Sequence, residues 1–410
     1  MRILVHDFSG HPFQAELARA LGARGHEVLH IRCGSYPSGK GAFADENSPI
    51  RYHSISLGQT FERYRAKDRL LHELRYARHF IREAAAFRPD LIISCNDPLL
   101  AKAGFGLWAA LLRIPWVFWL QDVYSVAMTR EACKRSRAGR AAGGVLQWVE
   151  RSLLRSADGV VAITEDFDAI LDQWRIPRGR RTVIENWAPL AEVPLRPRWN
   201  DWRDAQGLGD DFVYLYAGTL GLKHDPDLLV SLAIADPGAV VVVVSEGLGA
   251  DHLERAIQER SLTNLRVLPY QAWEDLPDVL GAADVLVVLL EAEAGGFSVP
   301  SKILTSLCAG RPILASIPFD NLGCRTIEAA EAGIVVRPGE TEDFVRAAKG
   351  QPGEGDRCLG DAGLAIVQEG QCGRRPARIA NRLERSQGRR ARSGRRAGIA
   401  GDNQQASHRA

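Results

Sequence analysis

Paired cysteines are missing from this chain. Its seven cysteines, Cys33, Cys95, Cys133, Cys308, Cys324, Cys358 and Cys372, are odd in number and form no CxxC pair. That excludes a disulfide framework or a zinc site of ordinary spacing, and points to reduced thiols in a cytoplasmic setting. Long apolar runs are also missing. The most apolar stretch, Leu107–Leu120, is broken by Arg113 and Pro115. It falls short of the ~20 residues a membrane-spanning helix needs. Met1-Arg2-Ile3-Leu4-Val5 leads directly into polar sequence, with no long apolar segment of a secretory signal. The expected membrane role is therefore peripheral, at the inner face of the plasma membrane. A net charge of +2 is too small to make the whole molecule a nucleic-acid binder. The motifs GxxxxGK[ST], HExxH and GxSxG are absent, which removes support for kinase, zinc-protease and standard esterase chemistry.

What the chain does have is a repeated strand–helix pattern. Arg2–His6 is a short apolar run of the buried parallel-strand type, followed by a loop ending in Pro12. Phe13, Leu17, Ala18 and Leu21 then recur at helical spacing, and a turn at Gly25 leads into a second strand reaching Ile31. This βαβ order predicts a parallel sheet with right-handed crossovers. In such sheets ligands bind beyond the carboxyl ends of the strands, where Gly10 lies. The loop is not GxGxxG, so a dinucleotide fingerprint is absent.

Further strands are expected at Leu91–Cys95, Trp116–Leu120, Gly159–Thr164 and Thr182–Asn186, and helices at Leu99–Leu112 and Val145–Arg155. Asp122 sits where the Trp116–Leu120 strand ends; it is either a site residue or a helix cap. Glu62–Phe87 reads as a long helix carrying Arg63, Arg65, Lys67, Arg69, Arg75, Arg78 and Arg82 among leucines. That is either a solvated face or a basic amphipathic surface for anionic lipid. The basic, Gly- and Ala-rich segment Lys134–Gly144 reads as a mobile loop.

Pro189–Pro197 reads as a linker, and a second βαβ series follows it. Its strands are expected at Phe212–Tyr216, Ala239–Val244, Leu265–Leu268, Val285–Leu290 and near Ile334–Val336, with glycine loops Gly218–Gly221 and Gly247–Gly249. Residues 295–316, GGFSVPSKILTSLCAGRPILAS, are the focus of this half. Gly295 and Gly296 let the backbone approach a ligand. Pro300 suits a first helical turn and Gly310 a helix stop. The helix start would then aim free N–H groups at a phosphate, with Lys302 adding a full charge. An ordinary loop–helix–strand connection fits the spacing too. His6 reads as the end of a strand, His224 as a substitute basic contact beside Lys223, and Cys308 as helix packing.

These boundaries give an α/β protein of two Rossmann-like, doubly wound domains facing a cleft. The first half is residues 1–190, the linker 191–200, and the half for a diphosphate-bearing donor 201–350. Residues 351–410 form an Arg-rich tail: from Gly373 onward there are eleven Arg and only Glu384 and Asp402 as acids. Disorder is expected there. The composition fits a basic tail for an anionic surface, and equally a frame shift in the gene.

Seven segments now carry a resemblance. Arg24-Gly25-His26-Glu27-Val28, Trp119–Tyr124, Ala157–Thr164, Ile184–Ala188, Tyr216–Gly221, Ala282–Val287 and Pro300-Ser301-Lys302 keep their order over roughly 1–345. Together they resemble the GT-B glycosyltransferases of the large retaining family four, near its exopolysaccharide and O-antigen branch. The resemblance implies a UDP- or GDP-linked sugar donor in the C-terminal half, used as substrate with no cofactor. It also implies a saccharide or polyprenyl-linked acceptor in the N-terminal half, no bound metal and no nucleic-acid partner. Lys223 and Lys302 would neutralise the diphosphate leaving group and Asp122 would face a sugar. Gly10, Gly218, Thr219, Glu246, Gly247, Tyr270, Ser298, Pro300 and Ser301 would line the donor. Relatives carry paired glutamates near this loop, and the second position falls at Thr305 here; where they carry Arg after the first loop glycine, this chain has Thr219. Two other functions share the plan: a nucleotide-sugar 2-epimerase, and a sugar-nucleotide-binding protein that has lost turnover.

Overall fold

The computed structural model describes residues 1–36, 50–58, 66–95, 97–135, 137–221, 223–350 and 357–359. It divides into two units. The first is Met1–Glu192 with Tyr270–Glu274 and Glu293–Val299; the second is Val193–Pro269, Asp275–Ala292 and the chain from Pro300 onward.

The first unit holds a seven-stranded sheet. Its strands are β1 (Arg2–His6), β2 (Glu27–Cys33), β3 (Ile50–Ile55), β4 (Leu91–Ser94), β5 (Trp116–Leu120), β6 (Gly159–Ala162) and β7 (Arg181–Val183). The spatial order is β3-β2-β1-β4-β5-β6-β7, and every pairing is parallel. Ile3 pairs with Val28 on one side and Leu91 on the other. Leu4 and Val5 are fully buried, as a strand covered on both faces requires. The crossovers carry α1 (Pro12–Ala23), α2 (Ala66–Phe87), α3 (Leu99–Leu111), α4 (Tyr124–Arg135), α5 (Arg137–Ser156) and the short α6 (Asp168–Gln173). The expected start of α2 at Glu62 lies outside the described residues.

One expectation fails here. Much of Lys134–Gly144, read as a mobile loop, is helix: α4 runs to Arg135 and α5 begins at Arg137. The glycine has a packing reason. A Cβ at Gly143 would sit 2.6 Å from Cγ2 of Thr129 on α4, so only a bare backbone lets the two helices approach this closely.

The second unit repeats the plan. After the short α7 (Asp201–Ala205), its strands are β8 (Phe212–Ala217), β9 (Ala239–Val244), β10 (Leu265–Leu268), β11 (Val285–Leu289), β12 (Ile313–Ser316), β13 (Gly333–Val336) and β14 (Arg357–Leu359). The order is β10-β9-β8-β11-β12-β13-β14, with β14 alone antiparallel. The helices are α8 (Asp227–Ala235), α9 (Leu248–Arg260), α10 (Leu276–Gly281), α11 (Lys302–Ala309), α12 (Leu322–Ala330) and α13 (Thr341–Ala348). The run AVVVVV of β9 is buried at every position. It joins Tyr214, Tyr216, Val287 and Leu314 in one core, to which α8 adds Leu229 and α13 adds Phe344. The remaining positions of the expected tail, 351–356 and 360–410, lie outside the described residues.

Both sheets reverse direction between two strands distant in sequence: β1 and β4 in the first, β8 and β11 in the second. At such a switch point the flanking loops part and leave a crevice beyond the strand ends. The charged residues of interest gather at these two places.

Candidate active site

In the second unit the loop after β8 and the start of α11 meet at the switch point. Gly218 has φ +125°, a conformation that side chains rarely adopt. A Cβ there would lie 3.6 Å from Cε and 3.7 Å from Nζ of Lys302. The bare glycine thus lets the loop lie against the lysine. Lys302 opens α11 directly after its N-cap residue, Ser301, whose side chain makes no capping bond. The lysine Nζ lies 3.6 Å from the ring centroid of Tyr216 and donates to the phenolic oxygen. That phenol in turn donates to the carbonyl of Thr219, at 2.7 Å. Strand, glycine loop and helix start are therefore tied through one tyrosine.

Basic groups gather here. Burial pushes the Lys302 ammonium well below its usual pKa, and the neighbouring charge of Lys223 pushes the same way. Burial also holds His224 well below the ordinary imidazole value, with Lys302 and Lys223 adding to it. The His224 Nδ1 lies 3.1 Å from the Gly221 amide nitrogen and 3.3 Å from the Gly221 carbonyl oxygen, which fixes the ring against the loop. Among the described residues no carboxylate lies within ion-pair distance of Lys302. Two lysines, a histidine and a helix N-terminus with no paired acid at Lys302 form a seat for an anion.

Adjacent loops are locked into place. The Leu220 amide donates to Ser245 Oγ at 3.1 Å, and the Gly249 amide to the Leu220 carbonyl at 3.2 Å. A Cβ at Gly249 would stand 2.3 Å from that carbonyl oxygen, so the position accepts only glycine as built. Gly247, at φ +91°, caps α9 beside the exposed Glu246. The carbonyl of Lys223 accepts from the Glu291 amide at 2.9 Å, joining the glycine loop to the end of β11. Thr305, at the position of the relatives' second glutamate, donates its hydroxyl to the Lys302 carbonyl at 3.0 Å.

The first unit has a different chemistry at its switch point. Gly10 turns at φ +77° just past β1, and its amide donates to the Asp7 carbonyl at 3.2 Å. The buried Asp7 carboxylate receives Nδ1 of His11 at 2.9 and 3.0 Å to its two oxygens. Burial opposes charge on His11, but Asp7, with Asp122 and Asp97 further off, raises its pKa overall. Cys95 brings its sulfur within 4.8 Å of these two groups. The Asp7–His11 contact itself is of hydrogen-bond length, so a proton links them as they stand. Behind them, His6 ends β1 as expected, with Nε2 2.9 Å from the Tyr76 hydroxyl and Nδ1 3.2 Å from Asp97. Lys102 reaches Asp97 at 3.3 Å. Burial opposes ionisation of Asp97, yet His6 and Lys102 hold it below the usual carboxylate range.

Asp122 follows β5 and is half-buried. Its charge acts on His11. The amides of Tyr124 and Ser125 at the start of α4 go to the buried Glu150 carboxylate, at 3.1 and 2.9 Å. Glu150 thus caps the start of α4. Burial raises Glu150 to about 7, against the pull of the Ser125 and Tyr124 bonds and of Lys102.

The candidate residues divide between the units. Gly218, Thr219, Lys223, Glu246, Gly247, Pro300, Ser301 and Lys302 belong to the second; Gly10, Asp122, Tyr270 and Ser298 to the first. Tyr270 and Ser298 thus share the first unit with Gly10. Their segments leave the ends of β10 and β11 as loops, and the Phe297 carbonyl accepts from the Val123 amide at 3.0 Å. Two residues quoted for the resemblance have a structural role: the amides of Gln121 and Asn186 pair reciprocally at 3.0 and 2.6 Å. Sequence reasoning missed Tyr216 as a lysine partner, the Asp7–His11 pair and Glu150.

The described folds and charges agree with the comparisons. A glycosyl transferase 4-like domain matches residues 11–187, and a glycosyl transferases group 1 domain matches 223–350. The chain belongs to the GT-B glycosyltransferases of family four. This glycosyltransferase is 25% identical over 387 residues to the colanic acid biosynthesis glycosyl transferase WcaI of Escherichia coli K12, covering 84% of this chain and 90% of the relative. It is 26% identical over 242 residues to glycosyltransferase WbjE of Pseudomonas aeruginosa, covering 56% and 58%. Among solved structures it superposes on sucrose-phosphate synthase of Thermosynechococcus elongatus with a TM-score of 0.68 at 17% identity, covering 97% of this chain and 100% of that one. Anabaena HepE, solved with UDP and glucose, gives 0.63 at 18%, covering 94% of each chain. At these identities the superpositions show the fold alone. No helix among the described residues is long and apolar enough to cross a membrane.

Proposed function

We propose that this glycosyltransferase moves a sugar from a UDP- or GDP-linked donor to a saccharide on a lipid carrier, with retention at the anomeric carbon, in the making of a cell-surface polysaccharide. The observation that carries the reading is the Lys302 amine, held by Tyr216 at the N-terminus of α11 with Lys223 beside it and, among the described residues, no carboxylate within ion-pair reach of Lys302. Breaking a sugar–phosphate bond leaves negative charge on the diphosphate. Preorganised cations at that oxygen lower the barrier where the charge appears. The HepE structures, with UDP and with UDP-glucose, support the same donor class for this chain. The name of WcaI, a colanic acid biosynthesis glycosyl transferase, supports a role in bacterial polysaccharide assembly.

Lys223 and Lys302 neutralise the leaving diphosphate. Gly218, Thr219, Ser301 and the first amides of α11 bind it, while Glu246 and Gly247 lie toward the nucleoside. In the other unit Gly10 and Asp122 contact sugars. No cofactor or bound metal enters this scheme. A donor screen tests it: hydrolysis or transfer from UDP- and GDP-sugars by wild type, lost in Lys302→Ala. Product analysis without acceptor separates transfer from 2-epimerisation, and binding without turnover would mark a protein that has lost catalysis.

A further inference from the structure

Three helices of the first unit lie side by side, with α3 in the middle. A Cβ at Gly104 of α3 would be 3.3 Å from Ala77 of α2, and one at Gly106 would be 3.2 Å from Leu153 of α5. The two glycines let both neighbours close on α3. The outer side of this layer is unusually apolar. Leu70, Leu71 and Leu74 of α2 are exposed, as are Leu107 and Leu111 of α3 with Leu112 just beyond, and Val145 and Trp148 of α5. Leu111 is 74% exposed and Trp148 68%. Most large apolar side chains found at the described surface are these, gathered on three adjacent helices rather than scattered.

The charge among them is mostly positive. Arg75, Arg78 and Arg82 are exposed on α2, Arg113 follows α3, and Arg140 and Arg155 are exposed on α5. The sequence of α3 contains no acid, and the single acid of α5, Glu150, is buried. Asp68 and the partly covered Glu83 are the acids toward the outer side of α2, and Glu83 sits 3.5 Å from Arg82.

We infer that the α2–α3–α5 face docks on an anionic lipid bilayer. The leucines and Trp148 enter the boundary between headgroups and acyl chains, while the arginines reach the lipid phosphates. Trp148 suits that depth, with an apolar ring and one N–H donor. Charge decides between a bilayer and a second copy of this chain. A two-fold contact through this face would set arginines against arginines, with no exposed acid on α3 or α5 to answer them. The inference deepens the lipid-carrier reading above, because a docked enzyme meets its acceptor at the membrane surface. It does not depend on donor chemistry.

The test is co-sedimentation of the full chain with phosphatidylcholine vesicles, with and without phosphatidylglycerol. Binding is expected only with the anionic lipid, and it should weaken as salt is raised. Leu111→Glu with Trp148→Glu should abolish it. Arg75→Glu with Arg78→Glu should lower the partition on the order of a hundredfold. Hydrogen exchange should show vesicle-dependent protection at residues 107–112 and 145–148. Thermal unfolding confirms that the variants are folded. Lys302→Ala should bind vesicles as wild type does, so loss of catalysis and loss of docking are separable. Unchanged binding in both helix variants would assign the attraction to the Arg-rich C-terminal segment and overturn the inference. So would self-association in light scattering that Leu111→Glu abolishes.

Discussion

The ammonium of Lys302 sits over the ring of Tyr216, 3.6 Å from its centroid, and donates to the hydroxyl of the same residue. The two are 86 positions apart in sequence and meet because β8 and β11 are neighbours at the switch point of the second sheet. The tyrosine holds the lysine in place without neutralising it. A diphosphate arriving at the start of α11 therefore finds a fixed amine, whose ammonium form it favours. Replacing Tyr216 by Phe keeps the ring and removes both phenolic hydrogen bonds. The expected cost is about 1 kcal/mol of stability, with a several-fold rise in donor KM and a smaller change in kcat. Chemical denaturation and steady-state kinetics check both.

The depressed pKa of Lys302 couples donor binding to protonation of its amine. Burial and Lys223 favour the neutral amine in the free protein; a bound diphosphate favours the ammonium. Nucleotide affinity should therefore fall as pH rises through the depressed value. Calorimetry of UDP binding in buffers of different ionisation enthalpy should show protons taken up. His224, also depressed by burial and the two lysines, works in the same direction. For stability the sign reverses. The unfolded chain binds more protons at these groups between their folded and ordinary pKa values, so their contribution rises with pH across that window.

Gly249 and Gly333 give a paired test of site against scaffold. A Cβ at Gly249 meets the Leu220 carbonyl at 2.3 Å, and one at Gly333 meets the Ile313 carbonyl at 1.9 Å. Gly249→Ala should push the Leu220 loop away from α9 and weaken donor binding, with a cost of about 1–3 kcal/mol in stability. Gly333→Ala forces apart β12 and β13 in the core, so stability should drop by at least as much. Its residual folded fraction should bind donor normally. Thermal shift with and without UDP separates the two.

His11 should report on Asp7. Burial lowers its pKa and the Asp7 carboxylate more than restores it, leaving a net rise. That pairing stabilises the fold fully below the unfolded imidazole pKa, and the contribution is lost as pH rises through the folded value. In Asp7→Asn the His11 titration, followed by NMR, should move to lower pH, and the stability loss should be larger in acid than in base.

Much of the fold was legible. Trp116–Leu120, Ala239–Val244 and Leu265–Leu268 are read with their observed bounds, because buried parallel strands leave strong apolar signals. β3 was not legible: its sequence IRYHSI buries only its two end residues, so polar side chains hide the pattern. The first turns of α5 were hidden by a run of glycine and alanine, of which Gly143 serves helix packing against Thr129. At the site, Lys302 was readable from Pro300, the glycines and its place at a helix start. Tyr216 was not, because its partner comes from a strand pairing between distant segments. Asp7, His11 and Glu150 were equally silent, since isolated polar residues carry no period and their roles arise only from burial.

The account rests on a cationic seat for a sugar-bound diphosphate, and titration calorimetry of UDP and GDP with wild type and Lys302→Ala tests it most directly. Wild type should bind one of the two nucleotides. The variant should bind it roughly thirtyfold more weakly, the loss of about 2 kcal/mol expected for one charge-assisted contact. Equal affinity in the two proteins, or no nucleotide binding by wild type, would contradict it.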